Sequence, residues 1–255
     1  MKLLLELSFY GKPFYGYQVQ DNGPSVQAEL NRATEKLFGF PCDIVGCSRT
    51  DSGVHARRYY VTVTERGRSG LTTDMEERRI PLALSFHLPD SIAVRRAVWV
   101  GEDFHPRYGV TEKTYRYFMR FSPVRDPFTS ETCWQVPYGT RPDRTERMQK
   151  AAALFVGEHD FASFMAAGSK IRDTVRTVTR SAVWEEDEMT VFEVSANGFL
   201  YHMVRIFAGT LVEVAAGRKE PEDMIRLLEA HDRHAAGPTA PAKGLFLWDV
   251  RYPNL

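Results

Sequence analysis

Residues 42–65 read CDIVGCSRTDSGVHARRYYVTVTE. Two apolar runs, Ile44-Val45 and residues 59–63, stand on either side of a polar loop. Short β-branched and aromatic runs bounded by turn residues favour strands. The stretch therefore reads as strands at 42–46 and 59–65 joined through residues 46–56. That loop gathers Arg49, Asp51, His55 and the hydroxyls of Ser48, Thr50 and Ser52. Ser, Thr, Asp and Gly favour turns because their side chains bond the local backbone and Gly reaches positive φ. Loops on a rigid scaffold are where reactive groups tend to sit. An ordinary hairpin connection with solvated charges has the same pattern.

Outward from this stretch, residues 2–9 alternate, with Leu3, Leu5, Leu7 and Phe9 on one side and Lys2, Glu6 and Ser8 on the other. A Gly- and Pro-punctuated loop holds Phe14 and Tyr15. Asn22-Gly23-Pro24 is a turn, and Ser25 caps a helix with Val26, Leu30, Ala33 and Leu37 at helical spacing. A polar helix is expected near 72–80, followed by the apolar run 80–84, and a strand over 92–100. From Gly109 onward, residues 114–121 alternate, with Tyr115, Tyr117 and Met119 on one face and Arg116 and Arg120 on the other. Asp143 with Glu146 three residues on has the form of a capping box. Strands at 174–184 and 189–196 flank an acidic turn, 185–188. An apolar helix is expected over 199–216, a shorter one opens at Pro221-Glu222-Asp223, and a strand closes the chain at 244–252. Strands and helices in mixed order, without a strict strand–helix repeat, argue for an α+β fold with helices against one face of a largely antiparallel sheet. The division is expected near residue 108, giving 1–108, with the Asp51 loop, and 109–255, with the Tyr115 strand and the Arg205 helix.

The bulk composition narrows the function classes. The chain has 255 residues, 43% apolar and 26% charged, with zero formal net charge. A nucleic-acid site would have to come from local clustering, since the net charge gives no attraction. Cys42, Cys47 and Cys133 form no C-x-x-C pair, which points to reduced thiols and a cytoplasmic protein. Glu6 interrupts the N-terminal leucine run, so no signal peptide is expected. Arg205 and Glu213 interrupt the longest apolar helix, so no membrane span is expected. Walker, G-x-G-x-x-G and G-x-S-x-G motifs are absent, and the histidines lack metal-ligand spacing. No metal or cofactor is expected.

Arg205 sits on a helix that is apolar or small nearly all round, which argues burial. Its neighbours at three and four residues are Tyr201, His202, Ala208 and Gly209, none of them acidic. An unpaired buried guanidinium is costly. Arg205 therefore pairs with an acid from elsewhere, Asp51 being the best candidate, or it reaches solvent at a helix edge. A paired Asp51 would be held ionised and fixed in direction, as a carboxylate nucleophile needs; a structural ion pair looks the same. Tyr115 on a strand face would stack on a base, a contact worth about 1–3 kcal/mol, or pack in the core. In an extended segment Arg172, Arg176 and Arg180 share one side. With Arg57-Arg58 and Arg95-Arg96 they make local basic patches suited to phosphate or simply solvated.

Arg49-Thr50-Asp51 with Gly53-Val54-His55-Ala56, Lys113-Thr114-Tyr115-Arg116-Tyr117, and Asn197-Gly198-Phe199 with His202-Met203-Val204-Arg205 resemble three motifs of the TruA family of tRNA pseudouridine synthases. Further matches in family order include Ser25-Val26-Gln27, Phe104-His105, Arg107, His159-Asp160-Phe161 and Pro241-Ala242. The resemblance implies isomerisation of uridine without a cofactor, with Asp51 in the nucleophile position. It puts Tyr115 on the target base, Arg205 beside the catalytic carboxylate, and Arg49 where it helps displace the base. Thr50, Gly53, His55, Phe199 and His202 fall at substrate positions, with Arg57, Arg58, Arg172 and Arg176 as basic RNA contacts. The implied fold is two similar ferredoxin/RRM-like halves sharing a mixed, largely antiparallel central sheet, with helices on one face and a cleft between the halves. The implied partners are tRNA, at uridines 38 to 40 of the anticodon stem-loop, and a second copy in a homodimer. Arg58-Tyr59 stands where the family usually has Gly-Gln, and Ser48 where Gly is common. A non-catalytic RNA-binding protein on this scaffold, or a synthase with another RNA target, is the alternative. A retaining glycosidase would need a second acid near Asp51, which the loop lacks.

Overall fold

A computed structural model describes residues 1–138, 141–169, 171–253 and 255. The chain divides into two compact units, Met1–Thr111 with Leu247–Leu255, and Glu112–Phe246. Strands and helices are mixed in both, as the α+β reading requires.

The first unit contains β1 (Lys2–Phe9), α1 (Val26–Phe38), β2 (Cys42–Gly46), β3 (His55–Glu65), α2 (Ile80–Ser85) and β4 (Ile92–Val100). β1 is central, antiparallel to β3 with Leu5 opposite Val61, and to β4 with Leu5 opposite Ala97. Its alternating face is buried as expected, and Leu4 on the opposite face is buried too. β2 extends the sheet from β3, with Ile44 opposite Val63. The Ser25 side chain accepts the Ala28 N–H and starts α1. Gly39, at φ 80°, ends it in the left-handed conformation that glycine adopts without a Cβ clash.

Two expectations fail here. β3 begins at His55 rather than residue 59, because Ala56 already pairs with Phe9 of β1. The polar helix near 72–80 is absent; a single 3-10 turn, Glu77–Arg79, leads into α2. The preceding polar residues have no apolar stripe to bury. In α2, Ile80 and Leu84 supply one at a spacing of four, and Pro81 sits in the first turn, where its missing N–H costs nothing.

The second unit contains β5 (Glu112–Phe121), β6 (Trp134–Val136), α3 (Arg144–Ala153), β7 (Gly157–Asp160), β8 (Val175–Glu186), β9 (Met189–Ala196), α4 (Met203–Ala215) and α5 (Asp223–Ala230). The strands run in the order β5-β9-β8-β7, all antiparallel, with β6 parallel to β5. β8 and β9 meet at a tight hairpin where Asp187 and Glu188 take φ 46° and 62°. Phe207 of α4 is the centre of the core. It stacks on Phe155 at 4.1 Å and meets the edges of Phe161, Phe164 and Phe192. Burial of one such ring contributes about 1.5–3 kcal/mol.

α4 starts at Met203, not residue 199, because His202 at φ 59° is left-handed and cannot continue a helix backwards. The capping box at α3 does not form; Asp143 makes no cap bond and its carboxylate accepts from Arg141 at 3.0 Å. The chain closes with β10 (Leu245–Arg251). From Leu247 it folds with the first unit, beside β3, rather than within 109–255 as expected. Long-range aromatic packing fixes this: Tyr252 donates to the Pro106 carbonyl at 2.6 Å and sets its ring against Tyr60 at 5.3 Å. Among the described residues no helix is long and apolar enough to cross a membrane, and no three His, Cys, Asp or Glu side chains gather as a metal would need.

Candidate active site

In the first unit the Asp51 loop is irregular, and a second irregular segment, residues 10–17, straps it. The Gly53 N–H donates to the Phe14 carbonyl at 3.3 Å, and the Tyr17 N–H donates to the Thr50 carbonyl at 3.3 Å. Within the loop the Val54 N–H donates to the Asp51 carbonyl at 3.2 Å. The approach is so close that a Cβ on Gly11 would lie 1.9 Å from the Val54 carbonyl oxygen. One on Gly16, at φ 97°, would lie 2.5 Å from that of Thr50. Buried backbone groups need partners, and here the strap supplies them. Asp51 is half-buried at the turn so formed.

His55, an expected substrate contact, lies inside the loop rather than on its surface. It is only 1% exposed; its Nδ1 accepts the Gly11 N–H at 2.9 Å, and its ring stacks on Tyr10 at 4.9 Å. Its work is to tie the strap down. Gly53, at φ 78°, likewise serves the backbone turn. Arg58 pairs with Asp249 at 2.9 Å and with Glu6 at 3.3 Å, and the hydrogen bond to Asp249 raises its guanidinium pKa. The neighbouring departure from the family pattern, Tyr59, hydrogen-bonds the Ser48 carbonyl and so anchors the start of the loop. Arg57 lies 5.6 Å from the Trp248 ring centre. Arg49 is exposed, and among the described residues it makes no ion pair.

In the second unit Tyr115 and Arg205 stand on regular elements, and Phe199 and His202 on the connection between β9 and α4. Tyr115 of β5 lies opposite Val194, is 7% exposed, and meets Phe199 edge-on at 5.0 Å between ring centres. These two expected site residues are brought together. Arg205 lies in the first turn of α4, half-buried, and its Nε donates to the Ala240 carbonyl at 2.8 Å. The Ala240 N–H returns a bond to the Arg205 carbonyl at 3.1 Å. Nearby, Tyr117 donates to the Pro241 carbonyl at 2.7 Å; burial holds its phenol well above the usual range, with the Arg205 charge opposing. His202 sets its ring against Tyr201 at 3.9 Å.

The expected basic stripe of Arg172, Arg176 and Arg180 does not form. Arg172 precedes β8, the pairing slips between Val178 and Arg180, and Arg180 is bound to Glu193 at 3.0 Å. Arg176 donates to the Asp173 carbonyl at 3.1 Å. Sequence reasoning gave no role to the segment 237–240 that runs against α4. Its signal was present: Gly209 in mid-helix is a residue whose Cβ would lie 1.7 Å from the Pro238 carbonyl oxygen.

In the second unit the Tyr115–Phe199 aromatic pair offers a face to a planar, uncharged ring. A family model described as tRNA pseudouridine synthase matches residues 151–253. This stretch, most of the second unit with the chain's closing strand, is thus similar to the pseudouridine synthases as a class. Relatives extend the likeness over the rest of the chain. A protein of Moorella thermoacetica named tRNA pseudouridine synthase A is 42% identical over 252 residues, covering 98% of this chain and 99% of the relative. Those so named from Bacillus pumilus, 40% identical with full coverage of both chains, and from an Exiguobacterium species, 37% identical over 100% of this chain and 99% of the relative, agree. The chain belongs to the tRNA pseudouridine synthase A family.

Proposed function

We propose that the protein isomerises uridine to pseudouridine in tRNA. The observation that carries this is the likeness, end to end, to relatives named for that activity. In the reaction the N1–C1′ bond breaks, the base turns, and C5 bonds to C1′. C5 then gives up its proton and N1 gains one, so composition is unchanged. Asp51 is the carboxylate acting at the glycosidic bond, Tyr115 stacks on the target base, and Arg205 keeps the carboxylate ionised and directed. Arg49 helps displace the base, since extrusion from a stack costs a few kcal/mol. The finer readings go with the family: similar ferredoxin/RRM-like halves, a homodimer in the cytoplasm, and uridines 38 to 40 of the anticodon stem-loop as targets.

Tritium release from tRNA labelled at uridine C5 tests the proposal, because the rearrangement must expel that hydrogen. Wild-type protein is expected to release tritium and Asp51→Ala to release none. Arg205→Met is expected to lose at least about 100-fold, the order seen when one charge-stabilising partner is removed from an active site. Release by Asp51→Ala removes that residue from its role. A wild type that binds tRNA and releases nothing is an RNA-binding protein on this scaffold.

A further inference from the structure

The first unit holds a pocket of about 270 Å³ walled by Gln18, Gly46, Arg49, His105, Arg107 and Tyr108 among others. No carboxylate lines it. Among the described residues Arg49 and Arg107 make no ion pair, which is also true of Arg57, Arg95 and Arg96 of the same unit, but only Arg49 and Arg107 line this pocket. In a chain of zero net charge, two uncompensated guanidinium groups on one pocket make a local anion site.

One wall is built with unusual care for a surface turn. The His105 Nδ1 accepts the N–H of Arg107 at 3.1 Å and that of Tyr108 at 3.2 Å, and the Gly109 N–H closes on the His105 carbonyl at 2.9 Å. The Tyr108 ring packs against the imidazole at 4.4 Å, with the Arg107 guanidinium 5.9 Å from the ring centre. Tyr252 anchors the turn from beneath through Pro106. Yet Tyr108 is 78% exposed. A large, mostly exposed aromatic ring set against His105, beside a cation that makes no ion pair among the described residues, is what a nucleobase and its phosphate need: a π-face to stack on and a charge for the phosphate. The volume lies near the lower end of small-ligand sites, about 300 Å³, which suits one nucleotide and not a length of helix.

We propose that this pocket is a second RNA subsite, taking the nucleotide that flanks the target uridine, with its base on Tyr108 and its phosphate between Arg107 and Arg49. The assignment to a flanking position rests on the reading of Asp51 as the catalytic residue. Arg49 and Asp51 have Cα atoms no more than about 7 Å apart by chain reach, so the two act on neighbouring nucleotides. On that reading Arg49 helps displace the target base while its guanidinium meets the flanking phosphate.

The test is kinetic and equilibrium measurement on one C5-tritiated tRNA. Arg107→Gln and Tyr108→Leu are each expected to raise KM and Kd about tenfold, with kcat changed less than about twofold. Tyr108→Phe, which keeps the stacking face, stays near wild type. Arg107→Gln also lowers the slope of log Kd against log salt by about one, as loss of one phosphate contact requires, and Tyr108→Leu leaves the slope unchanged. Both side chains are exposed, so melting temperatures stay at the wild-type value. If wild type releases tritium and both variants keep wild-type KM, Kd and salt slope, the subsite is overturned and the isomerase reading stands. If wild type releases no tritium but the variants still weaken tRNA binding as stated, the subsite stands as an RNA contact and the isomerase reading falls.

Discussion

The Asp51 loop and the Arg205 helix are held by the same device used in two ways. In each, an irregular segment lies against the functional one at a distance only glycine permits: Gly11 and Gly16 over residues 50–54, Gly209 under Pro238. In each, a glycine N–H of the strap is tied to a side-chain acceptor on the segment it holds. Gly11 donates to His55 Nδ1 and Gly237 to Thr210 Oγ1, both at 2.9 Å. The difference is what the strap decides. α4 has its own ladder of backbone bonds, so its strap does not set its shape; it aims a side chain, through Arg205 Nε and the Ala240 carbonyl, and is itself tied to the helix. The Asp51 loop has no ladder of its own, so its strap supplies its backbone partners and sets its shape. A carboxylate on a loop can be placed where no regular element would put it, and the cost is dependence on a second loop.

The sharpest way to break this comparison is to add one methyl group at each contact. Gly209→Ala puts a Cβ on the buried face of α4 1.7 Å from the Pro238 backbone oxygen. Overpacking of a tight contact costs about 1–3 kcal/mol or more, and here one side of the contact is a regular, buried helix. Loss of stability of at least about 3 kcal/mol is expected in urea melts. Gly11→Ala makes a similar collision, 1.9 Å from the Val54 oxygen, but against a loop that can shift. It is expected to cost less stability, about 2 kcal/mol, and more function, with tritium release down at least tenfold in protein that is still folded. Equal losses of stability and activity in both variants would mean that the two straps do the same job.

Removing the acceptors instead of adding bulk gives a finer comparison. Thr210→Val and His55→Phe keep volume and leave a buried glycine N–H without a partner, a penalty of about 1–3 kcal/mol. Both are expected to lose about that much in melts. Only His55→Phe should lower single-turnover rate beyond the fraction unfolded, because only there does the strap shape the loop. His55 reads as a substrate contact in sequence and as a tie in the structure, and this variant separates the two by whether KM or the rate moves.

What could be read ahead was what local physics decides. Ser25 caps α1, the alternation over residues 2–9 and 114–121 becomes β1 and β5, and the apolar wheel around Arg205 becomes α4. Arg205 could be singled out because an unpaired charge on an apolar helix is costly; Asp51 and Tyr115 keep ordinary readings until the family resemblance is weighed, and Phe199 comes from that resemblance alone. The failures come from partners distant in sequence. Asp143 had the right spacing for a cap, but Arg141 took its carboxylate. β6 and β7, with three and four residues, are too short to show alternation and exist because β5 and β8 lie beside them. The left-handed turn at His202 is written in no periodicity. Leu247–Leu255 join the first unit through Tyr252, Pro106 and Tyr60, contacts that span most of the chain.

The smallest expected effect tests whether the far end of α4 matters to the strap at all. Arg218 grips Glu213 with two bonds, Nε at 2.8 Å and Nη2 at 2.9 Å, and also lies 5.1 Å from the Tyr138 ring centre. The Arg218 hydrogen bonds lower the Glu213 pKa below its usual 4.5, against the opposing effect of partial burial. A carboxyl whose folded pKa lies below its unfolded one binds fewer protons when folded. Its contribution is therefore complete above pH about 4.5 and fades as pH falls through the lower, folded value. Arg218 is about half exposed, 49% by side chain, so solvent screening limits the pair to about 1 kcal/mol or less. Arg218→Ala keeps the backbone bond from residue 218 to the Glu213 carbonyl and removes only the side-chain grip. It should lower the urea midpoint slightly at pH 7 and progressively less as pH falls below about 4.5, with amide exchange quickened at the end of α4 and unchanged in residues 50–54. A loss undiminished at pH 3 would assign the effect to Tyr138 packing, and exchange that quickened in the Asp51 loop as well would show that the second strap governs more than the aim of one arginine.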